Sequence, residues 1–348
     1  MTVKLALLGA GRIGQAHSRA IAQTPGAELV AVSDVNIDAA SAIAGQHGCA
    51  TASLDAIAND PNIDGVLICT PTDLHAEQIE KFVTAGKAVF CEKPIDLDSA
   101  RVKACLEVVN AHQGFLMIGF NRRFDPHFNA LYQAIQAGQI GTPEMVVITS
   151  RDPAPPPAAY IRKSGGIFRD MTIHDFDMAV HLLGEMPVSV QASGSVLTDS
   201  EIGTLGDFDT ASVILKMASG KQAVITNSRR ASYGYDQRVE VHGSEAMIVA
   251  ENQRPVSIEI ANNTGFHKPP LHDFFMTRYI QAYADEIASF VQAVTEGTPP
   301  TPSGQDGLNA LYIADAAQLS AQTGAVIALS PAGDWFWSAY SGNEPTIC

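Results

Sequence analysis

The sequence has few cysteines, few basic residues and no apolar run long enough to cross a bilayer. Its five cysteines show no paired metal-ligand spacing and most fall in apolar segments, which is typical of buried thiols in a reducing compartment. Only 22 basic residues stand against 37 acidic ones, a net charge of −15, and none form a basic run. We therefore expect neither nucleic acid nor a membrane surface as partner, and a neutral small molecule is favoured as substrate. The apolar run at residues 5–8 is no longer than a strand and has no cleavage pattern, so we expect no signal peptide and a cytoplasmic protein.

The N-terminal part alternates short β-branched and aliphatic runs with longer amphipathic segments. This rhythm, in a chain of 348 residues, predicts an α/β Rossmann domain with a parallel sheet, followed by a second domain. The predicted strands are 3–8, 29–33, 65–69, 88–91 and 115–119, and the predicted helices include 13–23, 74–85 and 99–111.

After Gly141 the pattern changes to strict alternation of apolar and polar residues. This alternation predicts an α+β domain with a large, mostly antiparallel open sheet, one face on a core and the other facing solvent or another subunit. Its predicted strands are 145–149, 188–193, 210–217, 222–227, 237–242, 257–260 and 325–329, and its predicted helices are 273–295 and 304–323.

These patterns divide the chain into an NAD-binding domain at 1–122, a substrate-binding and oligomerisation domain at 123–329 and a tail at 330–348. The tail contains both tryptophans, Trp335 and Trp337. It is either a mobile segment or an aromatic cluster that docks on a neighbouring subunit.

Gly9-Ala10-Gly11-Arg12-Ile13-Gly14 fits G-x-G-x-x-G between a predicted strand and a predicted helix. In this context Gly9 allows a tight turn, Gly11 lets the backbone approach a pyrophosphate, and Gly14 allows close packing of helix on strand. Asp34 closes the second strand, where a carboxylate accepts from ribose hydroxyls and repels a 2′-phosphate. The sequence therefore predicts NAD rather than NADP as the cofactor.

Two further strand ends border the same predicted crevice. Thr70 and Pro71 follow the third predicted strand and precede His75, although Pro71 also fits a simple turn. Lys93, in Glu92-Lys93-Pro94, directly follows the next strand, where an ammonium would stabilise a developing alkoxide. A solvated surface lysine is the alternative.

Asp170 and His174 stand four residues apart at the start of a predicted helix, so they share one face. Imidazole accepts a proton near neutral pH, and a carboxylate one turn away orients it and stabilises the imidazolium. The alternative is a helix N-terminal acid beside a half-buried histidine.

Several motifs occur together in one order: residues 9–14, 92–94, 119–126, 150–153, 165–177 and 233–238. In these the chain resembles the glucose-fructose oxidoreductase, inositol dehydrogenase and rhizopine-catabolism family, over about residues 1–329, and within it the bacterial inositol dehydrogenases. The resemblance implies a Rossmann domain, a domain with a large open sheet, and a homotetramer formed through those sheets. It implies catalytic roles for Lys93, Asp170 and His174, and substrate contacts at Asp152, Tyr235 and Arg122 or Arg123. The loop 153–163 varies in length within the family.

Together, residue patterns and resemblance give one set of candidate site residues, with no metal. The expected cofactor contacts are Gly9, Gly11, Arg12, Ile13, Gly14, Asp34, Thr70, Pro71, His75, Glu92, Lys93 and Arg122, and the expected substrate contacts are Lys93, Arg122, Arg123, Asp152, Asp170, His174 and Tyr235. The expected reaction is NAD-dependent oxidation of myo-inositol to 2-keto-myo-inositol (scyllo-inosose), with His174 as base.

Three alternatives stay open at this point. The same chemistry could act on scyllo-inositol or on a pyranose such as glucose, because ring stereochemistry depends on hydroxyl placement that a sequence does not reveal. A zinc polyol dehydrogenase would use Asp170 and His174 as ligands, but the cysteines lack the clustering that zinc usually needs. A redox sensor that binds the dinucleotide without catalysis would need no proton-transfer pair.

Overall fold

The computed structural model describes residues 2–330, 338–340 and 345–347, and the chain forms two compact units. The first unit consists of the chain up to Asp125 together with the later segment Tyr279–Leu311. The second unit consists of Pro126–Arg278 and the chain from Tyr312 onward. These two units differ from the predicted linear boundary at 122/123, because the segment Tyr279–Leu311 packs in the first unit. Trp335 and Trp337 lie outside the described residues.

The first unit has a six-stranded parallel sheet with strand order β3-β2-β1-β4-β5-β6. Its strands are β1 (Val3–Leu8), β2 (Ala27–Ser33), β3 (Ala50–Thr51), β4 (Gly65–Ile68), β5 (Ala88–Glu92) and β6 (Leu116–Gly119). The central strands β1 and β4 are buried on both faces, as their continuous apolar runs predict. The order reverses between β1 and β4, where this class of fold binds its ligand outside the carboxyl ends of the strands.

The helices of the first unit are α1 (Arg12–Gln23), α2 (Ile37–His47), α3 (Leu54–Asn59), α4 (His75–Thr84), α5 (Ser99–Ala111) and α11 (Ile280–Glu296). Polar side chains cap the N-termini of α2, α3 and α5. Two of them, α2 and α3, were not among the helices predicted from the pattern. Asn36 caps α2, because its side chain accepts from the backbone N–H groups of Asp38 and Ala39.

The second unit has a nine-stranded sheet of order β12-β11-β7-β10-β9-β8-β15-β16-β17 and a separate hairpin, β13-β14. The strands are β7 (Pro143–Arg151), β8 (Pro187–Ser195), β9 (Thr210–Met217), β10 (Gln222–Ser228), β11 (Asp236–Gly243), β12 (Met247–Ala250), β13 (Ile260–Asn262), β14 (Gly265–His267), β15 (Ile327–Ala328), β16 (Ser338–Tyr340) and β17 (Pro345–Ile347). The expected mostly antiparallel sheet is confirmed, although β7 and β10 pair in parallel. The predicted strand 257–260 is wrong except at Ile260, which belongs to the separate hairpin.

The helices of the second unit are α6 (Pro126–Gln136), α7 (Ala158–Ser164), α8 (Ile173–Leu183), α9 (Ser200–Thr204), α10 (Phe275–Arg278) and the part of α12 (Gly304–Thr323) that follows Leu311. Helix α8 packs on one face of the sheet, where its Asp175 accepts from Ser150 on β7 and Asn227 on β10. Along β9, buried Val213 and Leu215 alternate with exposed Ser212, Ile214 and Lys216, so the other face is open within the unit. In the described part of the chain, no helix has the length and apolarity needed to span a membrane.

Candidate active site

The turn between β1 and α1 has the close contacts that only glycines permit. Gly9 has φ +98°, and a Cβ there would lie 2.4 Å from the carbonyl oxygen of Cys69. A Cβ on Gly14 would lie 2.0 Å from the carbonyl oxygen of Gly9. A Cβ on Gly11, in contrast, would meet nothing within 4 Å, so this part of the turn borders open space.

Helix α1 begins beside that open space with properties that suit an anion. Its N-cap is Gly11, and its first turn, from Arg12 and Ile13, contains no acidic side chain. The unpaired N–H groups and the positive end of the helix dipole attract phosphates. The residues of this turn therefore fit the pyrophosphate of a dinucleotide.

Asp34 follows β2 and is fixed against the glycine turn. Its Oδ2 accepts from the Ala10 N–H at 2.6 Å, and its Oδ1 accepts from the Asn36 N–H at 2.7 Å. The carboxylate thus connects the end of β2 to the turn that follows β1. Its position at the carboxyl edge of the sheet is the one at which an acid meets an adenosine ribose.

The segment after β4 is held by two side chains of α4. The Thr70 hydroxyl donates to Oε1 of Gln78 at 2.8 Å, and Pro71 precedes a 3₁₀ turn at Thr72–Leu74. The ring of His75 is 2% exposed and lies 2.7 Å from the Thr70 carbonyl oxygen through Nε2 and 2.8 Å from the Pro94 carbonyl oxygen through Nδ1. His75 therefore connects the loops that follow β4 and β5.

Lys93 lies directly after the end of β5, as the sequence predicts. Glu92 is the last residue of the strand, and its Oε1 lies 2.6 Å from Nε2 of His17 on α1. The peptide bond between Lys93 and Pro94 is cis. Lys93 thus extends from the carboxyl edge of the same sheet as the glycine turn, Asp34 and Thr70.

The two candidate arginines of the first unit differ in their surroundings. Arg122 and Arg123 lie in a 3₁₀ turn, Asn121–Phe124, and Arg122 is only 4% exposed. Nη2 of Arg123 donates to Asp306 at 2.9 Å, and Asp306 also accepts from the Ser303 N–H at the start of α12. Arg123 therefore has a structural ion pair in the first unit.

In the second unit, Asp170 and His174 lie on a helix that opens with a π-helical turn. Phe168–Thr172 form this turn, and α8 continues from Ile173. The sequence predicts one regular helical face, but a π turn is wider than an α turn and changes the angle between the two side chains. Such turns recur at functional sites.

Both carboxylate oxygens of Asp170 have partners. The Tyr160 hydroxyl donates to Oδ1 at 2.7 Å, and both Nη atoms of Arg229 lie 3.3 Å from Oδ2. Burial, and then the charge of Asp170, raise the pKa of Tyr160 well above its usual range, so the phenol stays protonated as a donor. Arg229 itself is 1% exposed.

Asp207 anchors the start of the π turn. Its Oδ1 accepts from the Ile167 N–H at 2.8 Å, and its Oδ2 lies 3.7 Å from Arg229. Gly166 has φ +84°, and a Cβ there would lie 2.7 Å from Oδ1 of Asp207. Burial raises the pKa of Asp207 above its usual range, against the opposing hydrogen bonds and the nearby guanidinium.

A buried hydrogen-bond network holds α8 on the sheet beside His174. Asp175 is fully buried, and its two oxygens accept from the Ser150 hydroxyl at 2.6 Å and from the Asn227 amide at 2.7 Å. The Thr172 hydroxyl donates to Oδ1 of Asn227 at 2.9 Å. Residues on β7 and β10 thereby fix the first turn of the helix that carries His174.

Strand register brings further candidate residues to the same edge of this sheet. Arg151 pairs with Asp236 and with Ser228, so Asp152, Tyr235 and Arg229 lie next to these pairs at adjacent strand ends. The Asp152 N–H donates to the Ser228 carbonyl at 2.9 Å. In the second unit the structure therefore gathers Asp152 and Tyr235 at the edge where Arg229 meets Asp170.

Some residues around the candidate site were not found from the sequence. Among them are His17, Tyr160 and Arg229, which contact candidate site residues, and Glu286, which lies within the electrostatic influence of Glu92. Arg229 lies two residues after the predicted strand 222–227, and Glu286 interrupts the apolar face of α11 that includes Tyr283, Ile287 and Phe290. A buried charge on an apolar stripe was the available signal for Glu286.

Glu286 is fully buried, and both its oxygens are without a hydrogen-bond partner among the described residues. Burial, and then the charge of Glu92, raise its pKa well above its usual range. A carboxyl whose pKa is raised on folding stabilises the fold fully below its unfolded pKa, and that stability is lost as pH rises toward the folded pKa.

We therefore expect Glu286→Gln to raise the melting temperature at pH 8 by about 1.5 °C or more, the equivalent of about 1 kcal/mol in a protein of 348 residues. The gain should shrink at pH 5.5, where the glutamate costs less to protonate. Thermal melts across this range provide the measurement. A gain that does not change with pH would contradict the raised pKa of Glu286.

Within the described residues, no group of three or more His, Cys, Asp or Glu side chains is placed to hold a metal ion. Cys69, Cys91 and Cys105 are buried free thiols, which confirms their expected role as small core residues. Burial raises the pKa of Cys105 to about 12.

Comparison with known proteins agrees with both units. Residues 3–120 match the oxidoreductase family with an NAD-binding Rossmann fold, and residues 128–249 match the GFO/IDH/MocA C-terminal domain. The chain is 63% identical over 317 residues to inositol 2-dehydrogenase of Rhizobium meliloti (strain 1021), covering 91% of this chain and 96% of the relative.

Solved structures of inositol dehydrogenases are also similar to this chain. A myo-inositol dehydrogenase from Corynebacterium glutamicum ATCC 13032 is 43% identical, with a TM-score of 0.92 over 95% of this chain and 100% of the other. A scyllo-inositol dehydrogenase from Lactobacillus casei, with bound NAD(H) and scyllo-inositol, is 28% identical, with a TM-score of 0.87 over 94% and 99%. The chain therefore belongs to the GFO/IDH/MocA family and is an NAD-dependent oxidoreductase.

Proposed function

We propose that this enzyme oxidises myo-inositol to 2-keto-myo-inositol (scyllo-inosose), with NAD as its cofactor. The observation that carries the proposal is the polar edge of the second unit, where Asp152 and Tyr235 lie beside the Arg229–Asp170 pair. Carboxylate, phenol and guanidinium groups of this kind recognise the hydroxyls of a polyol, which is an uncharged substrate. The names of the relatives, inositol 2-dehydrogenase and myo-inositol dehydrogenase, support a cyclic polyol.

In the proposed reaction, His174 removes the proton of the reacting hydroxyl and becomes an imidazolium. Asp170, held by Tyr160 and Arg229, orients that imidazole. The ammonium of Lys93 holds the same oxygen and stabilises its developing negative charge. The nicotinamide supplies the hydride acceptor when NAD is bound. Asp152, Tyr235 and Arg122 would bind the remaining hydroxyls.

Turnover of a substrate panel with NAD tests the substrate. We expect the highest kcat/KM with myo-inositol, compared with scyllo-inositol, D-chiro-inositol and glucose. Scyllo-inositol is the second candidate, because a relative binds it in its solved structure. A tenfold preference for glucose would contradict the proposal, and the absence of NADH formation with every polyol would favour a redox sensor.

The cofactor preference is proposed to depend on Asp34. We expect the wild type to favour NAD over NADP. Asp34→Ala should raise kcat/KM for NADP by about tenfold, because it removes the repulsion between the carboxylate and the 2′-phosphate, and a tenfold change corresponds to roughly 1.4 kcal/mol. The same variant should lower kcat/KM for NAD, because it removes the acceptor for the ribose hydroxyls. Asp38→Ala, on the nearby helix α2, is the matched control. If the wild type already uses both cofactors equally, Asp34 does not select NAD.

We further propose that the enzyme is a homotetramer assembled through the open face of the large sheet. Strand register places Ile214, Val224, Val147 and Val249 in one row across this face, with Glu240 among them. Ile214 is 43% and Val249 42% exposed within one chain. An apolar row of this kind favours burial against another subunit, and the mass in solution by light scattering checks the proposal.

The proposed location is the cytoplasm. The described cysteines are free thiols, which suits a reducing compartment.

A further inference from the structure

We propose that His17 and His75 are positioning residues that fix Lys93 by holding the residues on either side of it. The inference rests on the proposed role of Lys93 in the reaction. Neither histidine need contact the substrate, since both are almost completely buried, at 0% and 2% exposure. They reach the turn after β5 from two different helices, α1 and α4.

His17 holds the residue before Lys93. Its Nε2 lies 2.6 Å from Oε1 of Glu92, the last residue of β5. Its ring packs edge-on against Phe90 at 5.1 Å and Tyr283 at 5.3 Å between centroids. Aromatic contacts on two sides leave the imidazole one orientation, so the Glu92 carboxylate is held in one place.

His75 holds the residue after Lys93. Its Nδ1 lies 2.8 Å from the Pro94 carbonyl oxygen, and its Nε2 lies 2.7 Å from the Thr70 carbonyl oxygen. Carbonyl oxygens only accept, so a ring N–H of His75 is the donor in these contacts. The histidine then connects the residue after Lys93 to the end of the neighbouring strand β4.

Together the two histidines restrain the backbone of Lys93 from both sides. A lysine side chain has a long flexible stem, so the place of its ammonium depends on how firmly its Cα is held. Catalytic groups must be held within about 0.5 Å of the productive geometry, and a misplacement of about 1 Å can cost about 100-fold in rate. Two buried contacts on the flanking residues supply that restraint.

Substitution by asparagine and by glutamine tests this role, because the two replacements should have opposite effects at positions 75 and 17. The amide of asparagine replaces a donor at Nδ1, whereas the longer glutamine replaces one at Nε2. His75→Asn therefore keeps the bond to Pro94, and His75→Gln loses it. At position 17 the pattern reverses, since His17→Gln keeps the bond to Glu92 and His17→Asn loses it.

We expect His75→Gln and His17→Asn to lower kcat by about 10- to 100-fold, and each matched variant to lose about tenfold less. The KM for NAD should change much less than kcat in all four. The inference would be overturned if the asparagine and glutamine variants lost the same factor in kcat at both positions. It would also be overturned if the loss of kcat correlated with the melting temperature of each variant and not with the hydrogen-bond donor that the variant retains.

A double-mutant cycle with Lys93→Met separates this inference from the proposed function. If the histidines act through Lys93, then His75→Gln has little further effect on kcat once Lys93 is methionine. An undiminished loss in that background would overturn the positioning role while leaving inositol oxidation intact. A wild-type enzyme without polyol oxidation would instead refute the proposed function and the inference with it. Full activity of Lys93→Met would refute the role of Lys93, and so the inference, while leaving inositol oxidation intact.

Discussion

Replacing His174 with alanine is expected to lower kcat for inositol oxidation by about 1,000-fold. A positioned general base contributes roughly 10²- to 10⁴-fold, and without it the hydroxyl proton has only water as acceptor. The affinity for NADH should stay the same, because the glycine turn and Asp34 lie in the first unit and His174 in the second. Steady-state kinetics between pH 6 and 10, with NADH binding by fluorescence, provide the measurement.

The matched control is His181, seven residues later on α8, whose ring stacks on Tyr132 at 3.9 Å. His181→Phe keeps an aromatic ring in this stack and should keep kcat near the wild-type value. If His174→Ala stayed within about tenfold of the wild type across pH, a loss below about 1.4 kcal/mol in the barrier, the assignment of the base would be wrong.

Lys93→Met is expected to lower kcat by about 100- to 1,000-fold. Methionine has a similar length and no charge, so the variant removes the stabilisation of the developing alkoxide but keeps most of the packing. Loss of one group that stabilises an oxyanion typically has an effect of this size. The loss should appear in kcat more than in the KM for NAD, because the ammonium acts on the reacting oxygen.

Lys81→Met is the control for this variant. Lys81 lies on α4 in the same unit and forms an ion pair with the exposed Asp55, so its loss should leave turnover unchanged. If Lys93→Met raised only the KM for the polyol and left kcat intact, Lys93 would bind substrate without stabilising the alkoxide. That result would correct its role.

The sequence predicted the parallel sheet well because each strand of a βαβ fold is a local apolar run between turns. The strand at 3–8 and the helix at 304–323 match the observed ends. The strand at 257–260 failed because alternation shows only that one face is apolar, and here that face stays exposed: Ile258 is 59% and Ile260 57% exposed. Alternation does not say which strand a segment will pair with.

The candidate site was predictable to the extent that its residues are adjacent in the chain. The glycine turn, Glu92-Lys93-Pro94 and the Asp170–His174 spacing are short motifs. Arg229 is 59 residues from its partner Asp170, and His17 is 75 residues from Glu92. Their roles depend on tertiary contacts, and a lone arginine or histidine in the sequence carries no sign of them. The π turn was also unpredictable, because residues distant in the sequence hold it: Asp207 accepts from the Ile167 N–H, and Asn227 accepts from the Thr172 hydroxyl.

Because the first unit includes Tyr279–Leu311, it can complete its folding only late in synthesis. Domains fold as units during synthesis, starting from the N-terminus. Helix α1, however, packs on α11, and the ring of His17 lies against Tyr283. During synthesis, the face of α1 that packs on α11 therefore stays uncovered until the ribosome has translated Pro126–Arg278 and then α11.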